Sequence, residues 1–232
     1  MKGLLYASCV LNKKFFVGAG ITAAAATIFA VVCELMSQQR FFNEIAYFVI
    51  LIASVLPAGI ALEFPARDLE KNLKNRFANY ALAGGITKNR FVLAELLKNL
   101  MCVAGGAAVC CVVSLVCMAV KPGYLVTSNI VFHLLIIVGI GVGEWCVTPL
   151  TITTKSAEKA GLIFGLCLGF GLILPFNLLA AAIEDGSAWG EFGLFTLVSK
   201  PWFPWAVFGA AAVIYAVVYL IMLARVKRGD VC

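Results

Sequence analysis

The stretch LLKNLMCVAGGAAVCCVVSLVCMAV, residues 96–120, decides the fold class. After Asn99 it contains no charged side chain, and an apolar helix of about 20 residues crosses the roughly 30 Å hydrocarbon core of a bilayer. Five further apolar stretches of similar length lie at residues 15–36, 45–62, 130–150, 160–183 and 204–224. The sequence therefore predicts an all-α, polytopic integral membrane protein with six transmembrane helices.

The composition of the whole chain agrees with this prediction. Of 232 residues, 62% are hydrophobic and 13% are charged, and the mean hydropathy is +1.00. These values lie far from the averages of soluble proteins. The residues between the spans are too few to bury a core of their own, which argues against a soluble catalytic head, a nucleotide-binding module and a nucleic-acid surface. We treat residues 1–232 as one transmembrane domain.

The distribution of basic residues predicts the orientation. Of 18 Lys and Arg residues, three (Arg40, Lys121 and Lys200) fall on one side of the predicted membrane, and the rest fall on the other. Basic loops remain cytoplasmic, so both termini are expected in the cytoplasm. The net charge of +6 then reflects topology, with anionic lipid headgroups as the expected counterions.

Two shorter segments are predicted to lie at the membrane surface. Residues 1–14 combine apolar and basic side chains in a way that is typical of an interfacial amphipathic helix. Residues 184–203 form the predicted extracellular loop, and Trp202 and Phe203 at its end are typical of an aromatic interface belt.

The long cytoplasmic connection, residues 63–95, contains a second amphipathic pattern. Leu69, Leu73, Phe77 and Tyr80 are spaced by three or four residues, which places them on one helix face. One interpretation is a helix that rests on lipid headgroups; the other is a lever that docks on a cytoplasmic partner. Acidic residues such as Asp68 favour the lever, because a lipid-bound face tends to be basic.

Helix boundary signals frame this segment. Pro65 suits the first turn of a helix, and the pair Gly84 and Gly85 suits a stop. Thr87 is placed to cap a following helix that runs into the third span.

Two cytoplasmic runs resemble a known family. FPARDLEKNLKNRFANYALAGGITKNRFVLAELL (64–97) and TPLTITTKSAEKAGLIFG (148–165) are similar to the bacterial ABC-2 type permeases, especially the short six-span permeases of peptide-toxin exporters. Asp68 matches the acidic position of that family, and Phe77 and Tyr80 match its aromatic positions. Gly85 and Glu95 depart from it, standing where proline and lysine are common.

The resemblance implies the transmembrane subunit of an exporter in the bacterial plasma membrane. It implies a second permease subunit, identical or related, and cytoplasmic ATPase subunits that hold ATP and Mg²⁺. No P-loop string occurs in these residues, so no cofactor is expected in this chain. Amphipathic or hydrophobic peptides are the expected cargo. The residues expected to contact the ATPase are Arg67, Asp68, Leu69, Glu70, Leu73, Arg76, Phe77 and Tyr80.

Glycines at intervals of four mark faces where helices can approach closely. Gly161, Gly165 and Gly169 form one such row, and Gly139 and Gly143 form another. The pattern fits either a dimer contact or packing within one subunit.

Glu144 is the outstanding polar residue of the predicted fourth span. A carboxylate inside a membrane span usually faces the bundle interior or an aqueous cavity, which makes it a candidate for the translocation path. The alternatives are a structural, hydrogen-bonded side chain or one that reaches Lys155.

Other function classes have weaker support. No Gly-x-Ser-x-Gly or His-Glu-x-x-His string occurs, and the chain has a single histidine, so no catalytic or metal site is predicted. A proton-coupled secondary transporter is one alternative, with Glu144 as the coupling group. A non-transporting immunity or sensor subunit of an ATPase complex is another.

Overall fold

A computed structural model describes residues 6, 10, 12–36, 40–75, 84–120, 127–168 and 200–228. Within these residues every regular element is an α-helix. The helices are α1 (Lys13–Met36), α2 (Arg40–Leu62), α3 (Phe64–Lys74), α4 (Lys88–Val120), α5 (Thr127–Thr154), α6 (Ala157–Leu168) and α7 (Phe203–Arg228).

The all-helical class is confirmed for the described residues, and a helix occupies at least part of each predicted span. Three helical stretches are long and apolar enough to cross a membrane: Lys88–Ala119, Ile130–Thr154 and Phe203–Arg228. In α1 the apolar stretch Phe16–Val32 is shorter. Most of the predicted interfacial helix (1–14) and of the outer loop (184–203) lies outside the described residues.

The helix ends follow local chemistry. Pro65 lies in the first turn of α3, where its missing N–H costs no hydrogen bond. Gly85 has a φ of +90°, a left-handed conformation that side chains disfavour. The hydroxyl of Thr87 then accepts a 3.4 Å bond from the N–H of Arg90, which caps the start of α4. The predictions for Pro65 and Thr87 are confirmed, whereas α3 ends at Lys74, ten residues before Gly84. Helix α4 runs without interruption from the connection after α3 through the predicted third span.

The two helices α4 and α5 form the centre of the bundle. Helix α4 packs against α1, α2, α3, α5 and α7, while α5 packs against α2, α3, α4, α6 and α7. At one end, the side chains of Leu69, Phe91, Trp145 and Met222 bring α3, α4, α5 and α7 into one buried cluster. The short helix α3 therefore belongs to the core of the bundle.

Among the described glycines, two that the four-residue spacing did not select have the tightest surroundings. A Cβ added at Gly106 of α4 would lie 2.7 Å from the Cβ of Ala58 in α2. A Cβ at Gly141 of α5 would overlap the side chain of Val103 in α4. These small residues let α4 contact α2 and α5 closely, and the packing is within one chain.

Candidate functional site

The short helix α3 has a buried face and a charged face. Asp68 and Leu69 are 4% and 0% exposed, and Leu73 packs against the same apolar cluster as Leu69. Arg67 and Lys74 lie on the other side with exposed side chains. The first two residues of the apolar stripe, Leu69 and Leu73, therefore lie against the long apolar helices of their own chain.

Asp68 points into this buried interface, where it meets a lysine of α4. The Nζ atom of Lys98 lies 2.8 Å from Oδ2 of Asp68 and 2.6 Å from Oε1 of Glu95. All three side chains are no more than 4% exposed. Since removing a charge from water is costly, the ammonium group of Lys98 stabilises both carboxylates and is stabilised by them, while the two carboxylates repel each other. We call Asp68, Glu95 and Lys98 the buried charge cluster.

Two side-chain amides also bond to Asp68. The side-chain amide of Asn12 donates to Oδ1 at 2.8 Å, and that of Asn72 donates to Oδ2 at 3.1 Å. Oε2 of Glu95, in contrast, is buried and has no hydrogen-bond partner among the described residues. With all three groups ionised the buried charge cluster has one excess negative charge, and it joins the segment before α1, helix α3 and helix α4.

A second link ties α3 to the start of α6. Oε2 of Glu70 accepts a 2.9 Å bond from the backbone N–H of Ala157, the first residue of α6. A carboxylate at a helix N-terminus is favoured by the unpaired N–H groups and the helix dipole. The hydrogen bond from Lys74 and the one from Ala157 lower the pKa of Glu70. The two predicted cytoplasmic runs that resemble the permease family, 64–97 and 148–165, therefore contact each other.

The remaining residues of the predicted ATPase contact fall into two groups. Arg67 is exposed and forms an ion pair with Glu63 on the same face of α3. Arg76, Phe77 and Tyr80 lie outside the described residues, and α3 ends at Lys74. In this conformation the surface of α3 that a partner can reach is therefore its charged face, and the ATPase contact itself stays a prediction.

Glu144 lines a groove of about 490 Å³ between α3, α5 and α6. Arg67 and Glu70 of α3 lie along the same groove, together with Glu63 and Glu158. No ion pair joins Glu144 to Lys155 in the part of the chain that the structure describes. The groove has four carboxylates and one guanidinium, and two of the carboxylates, Glu63 and Glu70, are already paired with Arg67 and Lys74.

The predicted glycine rows have different surroundings. A Cβ added at Gly143 would contact the ring of Phe164 in α6 at 3.5 Å, so this glycine packs within the chain. At Gly139, Gly161 and Gly165 an added Cβ would meet nothing within 4 Å. Gly169 lies outside the described residues.

A polar network joins the three longest apolar helices. The hydroxyl of Tyr215 in α7 donates to Oδ1 of Asn99 in α4 at 2.6 Å. The amide of Asn99 donates to the carbonyl of Gly141 in α5 at 3.3 Å, and the indole N–H of Trp145 donates to the carbonyl of Tyr215 at 3.2 Å. These bonds fix the relative positions of α4, α5 and α7 beside the buried charge cluster.

Sequence reasoning did not find Glu95, Lys98 and Asn99 as a unit. A signal was available, because Glu95 and Lys98 are three residues apart on one helix and adjoin an apolar run. Charges at such a position require partners, and a further partner of Lys98 is Asp68, 30 residues away. Residue spacing alone does not predict that contact.

No protein-family model matches the chain, and no characterised protein is significantly similar to it. Among the described residues no group of three or more His, Cys, Asp or Glu side chains is arranged to hold a metal ion. The described residues of the site show charge pairing between α3 and α4 and a hydrogen bond from α6 to α3.

Proposed function

We propose that this chain is the transmembrane permease subunit of an ATP-driven exporter of the ABC-2 type. It crosses the bacterial plasma membrane six times and has both termini in the cytoplasm. Its partners are a second permease subunit, identical or related, and cytoplasmic ATPase subunits that bind ATP and Mg²⁺. The proposed cargo is amphipathic or hydrophobic, with peptides as the first choice.

The observation that carries the proposal is the connection between α3 and the long helix α4. A subunit driven from the cytoplasm needs an element outside the membrane that moves together with the spans. The bond from Lys98 to Asp68 joins α3 to α4 at a buried site, and Glu95 pairs with the same lysine from within α4. Because breaking a buried pair is costly, a force on α3 reaches α4 before the contact separates.

The charged face of α3 supplies the surface for the ATPase. Lys71 is exposed, and the Lys74 side chain is 61% exposed. Exposed charges of this kind contribute to the rate and specificity of association more than to its affinity. Leu69 and Asp68 then act within the permease, as the attachment of α3 to the bundle.

Affinity purification of the tagged full-length chain in mild detergent from its native host tests the proposal. We expect a P-loop ATPase to co-elute with the wild type in an amount similar to the permease. Charge reversal of the α3 face, Lys71→Glu with Lys74→Glu, is expected to reduce ATPase recovery. The matched control makes the same charge change at the exposed end of α7, Lys227→Glu with Arg228→Glu, and is expected to leave recovery unchanged.

Two outcomes contradict the proposal. If a folded, monodisperse wild type brings down no ATPase, the chain is not a subunit of this class. If both double variants lose the ATPase equally, the contact depends on overall charge and α3 is not the docking element.

The groove at Glu144 favours a second candidate, a proton-coupled secondary transporter. The carboxylate lies beside Glu63 and Glu70 in a groove of about 490 Å³, a suitable place for a group that takes up and releases protons. Under this alternative, Glu144→Gln abolishes the pH dependence of transport between about pH 6 and 8. Transport that is identical to wild type across that range returns Glu144 to a structural role.

A further inference from the structure

A groove of about 710 Å³ runs between α4 and α7, and most of its lining is apolar. Leu93 and Leu100 of α4 and Phe208 of α7 are among the residues that line it. These three side chains are 36%, 40% and 44% exposed, so the groove opens to the surroundings of the bundle. Apolar side chains exposed on membrane helices face lipid, which makes lipid the natural occupant.

The length of the groove is close to the depth of one leaflet of a bilayer. Along α4 it extends from Leu93 to Val103, and along α7 from Phe208 to Tyr219, about 15 to 17 Å at the rise of an α-helix. Half of the roughly 30 Å hydrocarbon core is about 15 Å. On α4 these residues lie at the cytoplasmic start of the predicted third span, so the groove fits an acyl chain of the inner leaflet.

Basic residues of α4 lie at the cytoplasmic end of the groove. Asn89 is four residues before Leu93 and therefore continues the helix face that lines the groove. Lys88 and Arg90 flank Asn89, about 100° around the helix on either side. Both side chains are exposed.

The end of α7 adds further positive charge at the same place. The Nζ atom of Lys88 donates to the backbone carbonyl of Lys227 at 3.1 Å, so this side chain reaches from α4 to α7. Below it, Phe91 of α4 and Val226 of α7 belong to one buried cluster, which holds the two helix ends together. The basic residues in the last turn of α7 are Arg225, Lys227 and Arg228.

This positive charge is not neutralised within the part of the chain that the structure describes. The ion pairs found there have Arg67, Lys74 and Lys98 as their cations. The described carboxylates of the cytoplasmic side belong to the groove at Glu144 and to the buried charge cluster. An anionic partner is therefore favoured at the start of α4, while a zwitterionic headgroup has a cation of its own and gains less.

The groove decides between two kinds of anionic partner. An acidic segment of another protein could pair with Lys88 and Arg90, but it would leave the apolar groove beside them empty. An anionic phospholipid matches both features, with a phosphate for the basic end and an acyl chain for the groove. Basic pockets between membrane helices on the cytoplasmic side are a known form of such sites.

We infer that the groove between α4 and α7 binds an anionic phospholipid of the cytoplasmic leaflet, with its phosphate at Lys88 and Arg90 and an acyl chain along Leu100 and Ala212. The net charge of the chain predicts anionic headgroups around the cytoplasmic face in general, and the groove gives one of them a defined place. The inference does not depend on an ATPase partner or on transport.

Photolabelling of the full-length chain in a mild non-ionic detergent tests this site. The probe is a phosphatidylglycerol with a diazirine in one acyl chain, and labelled peptides are mapped by mass spectrometry. We expect saturable labelling of α4 and α7. Unlabelled phosphatidylglycerol is expected to suppress labelling about 30-fold better than phosphatidylcholine with the same acyl chains, since each of two basic residues near an anionic headgroup contributes about fivefold.

A pair of double variants tests the basic end. Lys88→Gln with Arg90→Gln is expected to lower labelling about 30-fold and to remove the preference for phosphatidylglycerol. The matched control, Lys71→Gln with Lys159→Gln, removes the same charge from exposed positions of α3 and α6 and is expected to leave labelling unchanged.

A pair of alanine substitutions on α7 tests the groove. Ala212 and Ala210 are both exposed, but of the two only Ala212 lines the groove. Ala212→Leu is expected to lower labelling about tenfold, the effect of displacing roughly two methylene groups of the acyl chain, and Ala210→Leu is expected to leave it unchanged. If Ala212→Leu does not fold, Ala216→Leu fills the same groove.

Three results overturn the inference. Equal suppression by phosphatidylglycerol and phosphatidylcholine removes the argument from charge. Equal labelling of the two double variants shows that the position of the charge does not matter, which is annular lipid only. Equal labelling of Ala212→Leu and Ala210→Leu shows that the groove takes no part, and an acidic protein segment is then the better match for the basic end.

Discussion

Replacing Lys98 by methionine is expected to destabilise the protein more than any other single change in the buried charge cluster. The substitution keeps most of the side-chain volume and removes the ammonium group. Asp68 and Glu95, each with a carboxylate side chain 3% exposed, then remain without their shared cation. Breaking a buried ion pair in this way costs about 3–5 kcal/mol.

The same geometry predicts only a small change in stability for Glu95→Gln. The amide oxygen of glutamine can still accept from the Nζ of Lys98, which now bonds to Oε1 of Glu95 at 2.6 Å. The change removes the excess negative charge of the buried charge cluster. A neutral amide nitrogen then takes the place of Oε2, which has no hydrogen-bond partner among the described residues. We expect stability to change by less than about 1 kcal/mol, because a neutral cluster has less charge to keep from water.

Thermal unfolding in detergent at pH 7, followed by tryptophan fluorescence, measures both variants. For a chain of this size about 1 kcal/mol corresponds to roughly 2–4 °C, so Lys98→Met is expected to lower Tm by about 6–20 °C. The double variant Lys98→Met with Glu95→Gln is expected to recover part of this loss, and the difference gives the coupling energy. A Tm for Lys98→Met within about 2 °C of wild type would refute the buried charge cluster as a stabilising contact.

Three further variants test other contacts with the same assay. Gly106→Ala is expected to lower stability by about 1–3 kcal/mol because its Cβ would lie 2.7 Å from that of Ala58. The control Gly105→Ala adds a methyl group in open space and is expected to be neutral or stabilising. Equal effects of the two variants would contradict the close contact of α2 and α4. Glu70→Gln is expected to lower stability by about 1 kcal/mol at neutral pH. The folded-state pKa of Glu70 is lowered from 4.5 by Lys74 and the α6 N-terminus, so the wild type should lose this advantage as pH falls below 4.5, and a gap that persists in acid would count against it. Tyr215→Phe leaves a buried amide oxygen of α4 without its 2.6 Å donor and is expected to cost about 1 kcal/mol; an unchanged Tm would exclude that bond.

The starts of α3 and α4 were predictable because they depend on local chemistry. Pro65 suits a first turn, Gly85 adopts a positive φ, and Thr87 caps the next helix, and each effect involves only neighbouring residues. The length of α3 was less predictable. An amphipathic pattern continues to Tyr80, whereas the helix ends at Lys74, because the repeat of apolar residues does not specify where the chain turns.

The roles of particular residues within α3 depended on packing. Asp68 and Glu70 are both acidic and two positions apart, so composition treats them alike. In the structure Asp68 is buried against Lys98, while Glu70 reaches the first N–H of α6. The assignment of glycines shows the same limit: Gly106 contacts Ala58 closely, but the regularly spaced Gly161 has open space around it.

The sequence by itself determined that the chain is helical and strongly apolar, since runs such as residues 96–120 allow few other structures in a membrane. It also determined where α3 and α4 begin. Only the tertiary structure decided that Asp68 lies inside the bundle, because its partner is 30 residues away and the contact exists only when α3 packs on α4. Burial makes that contact costly to break, because no water is present to solvate the separated charges.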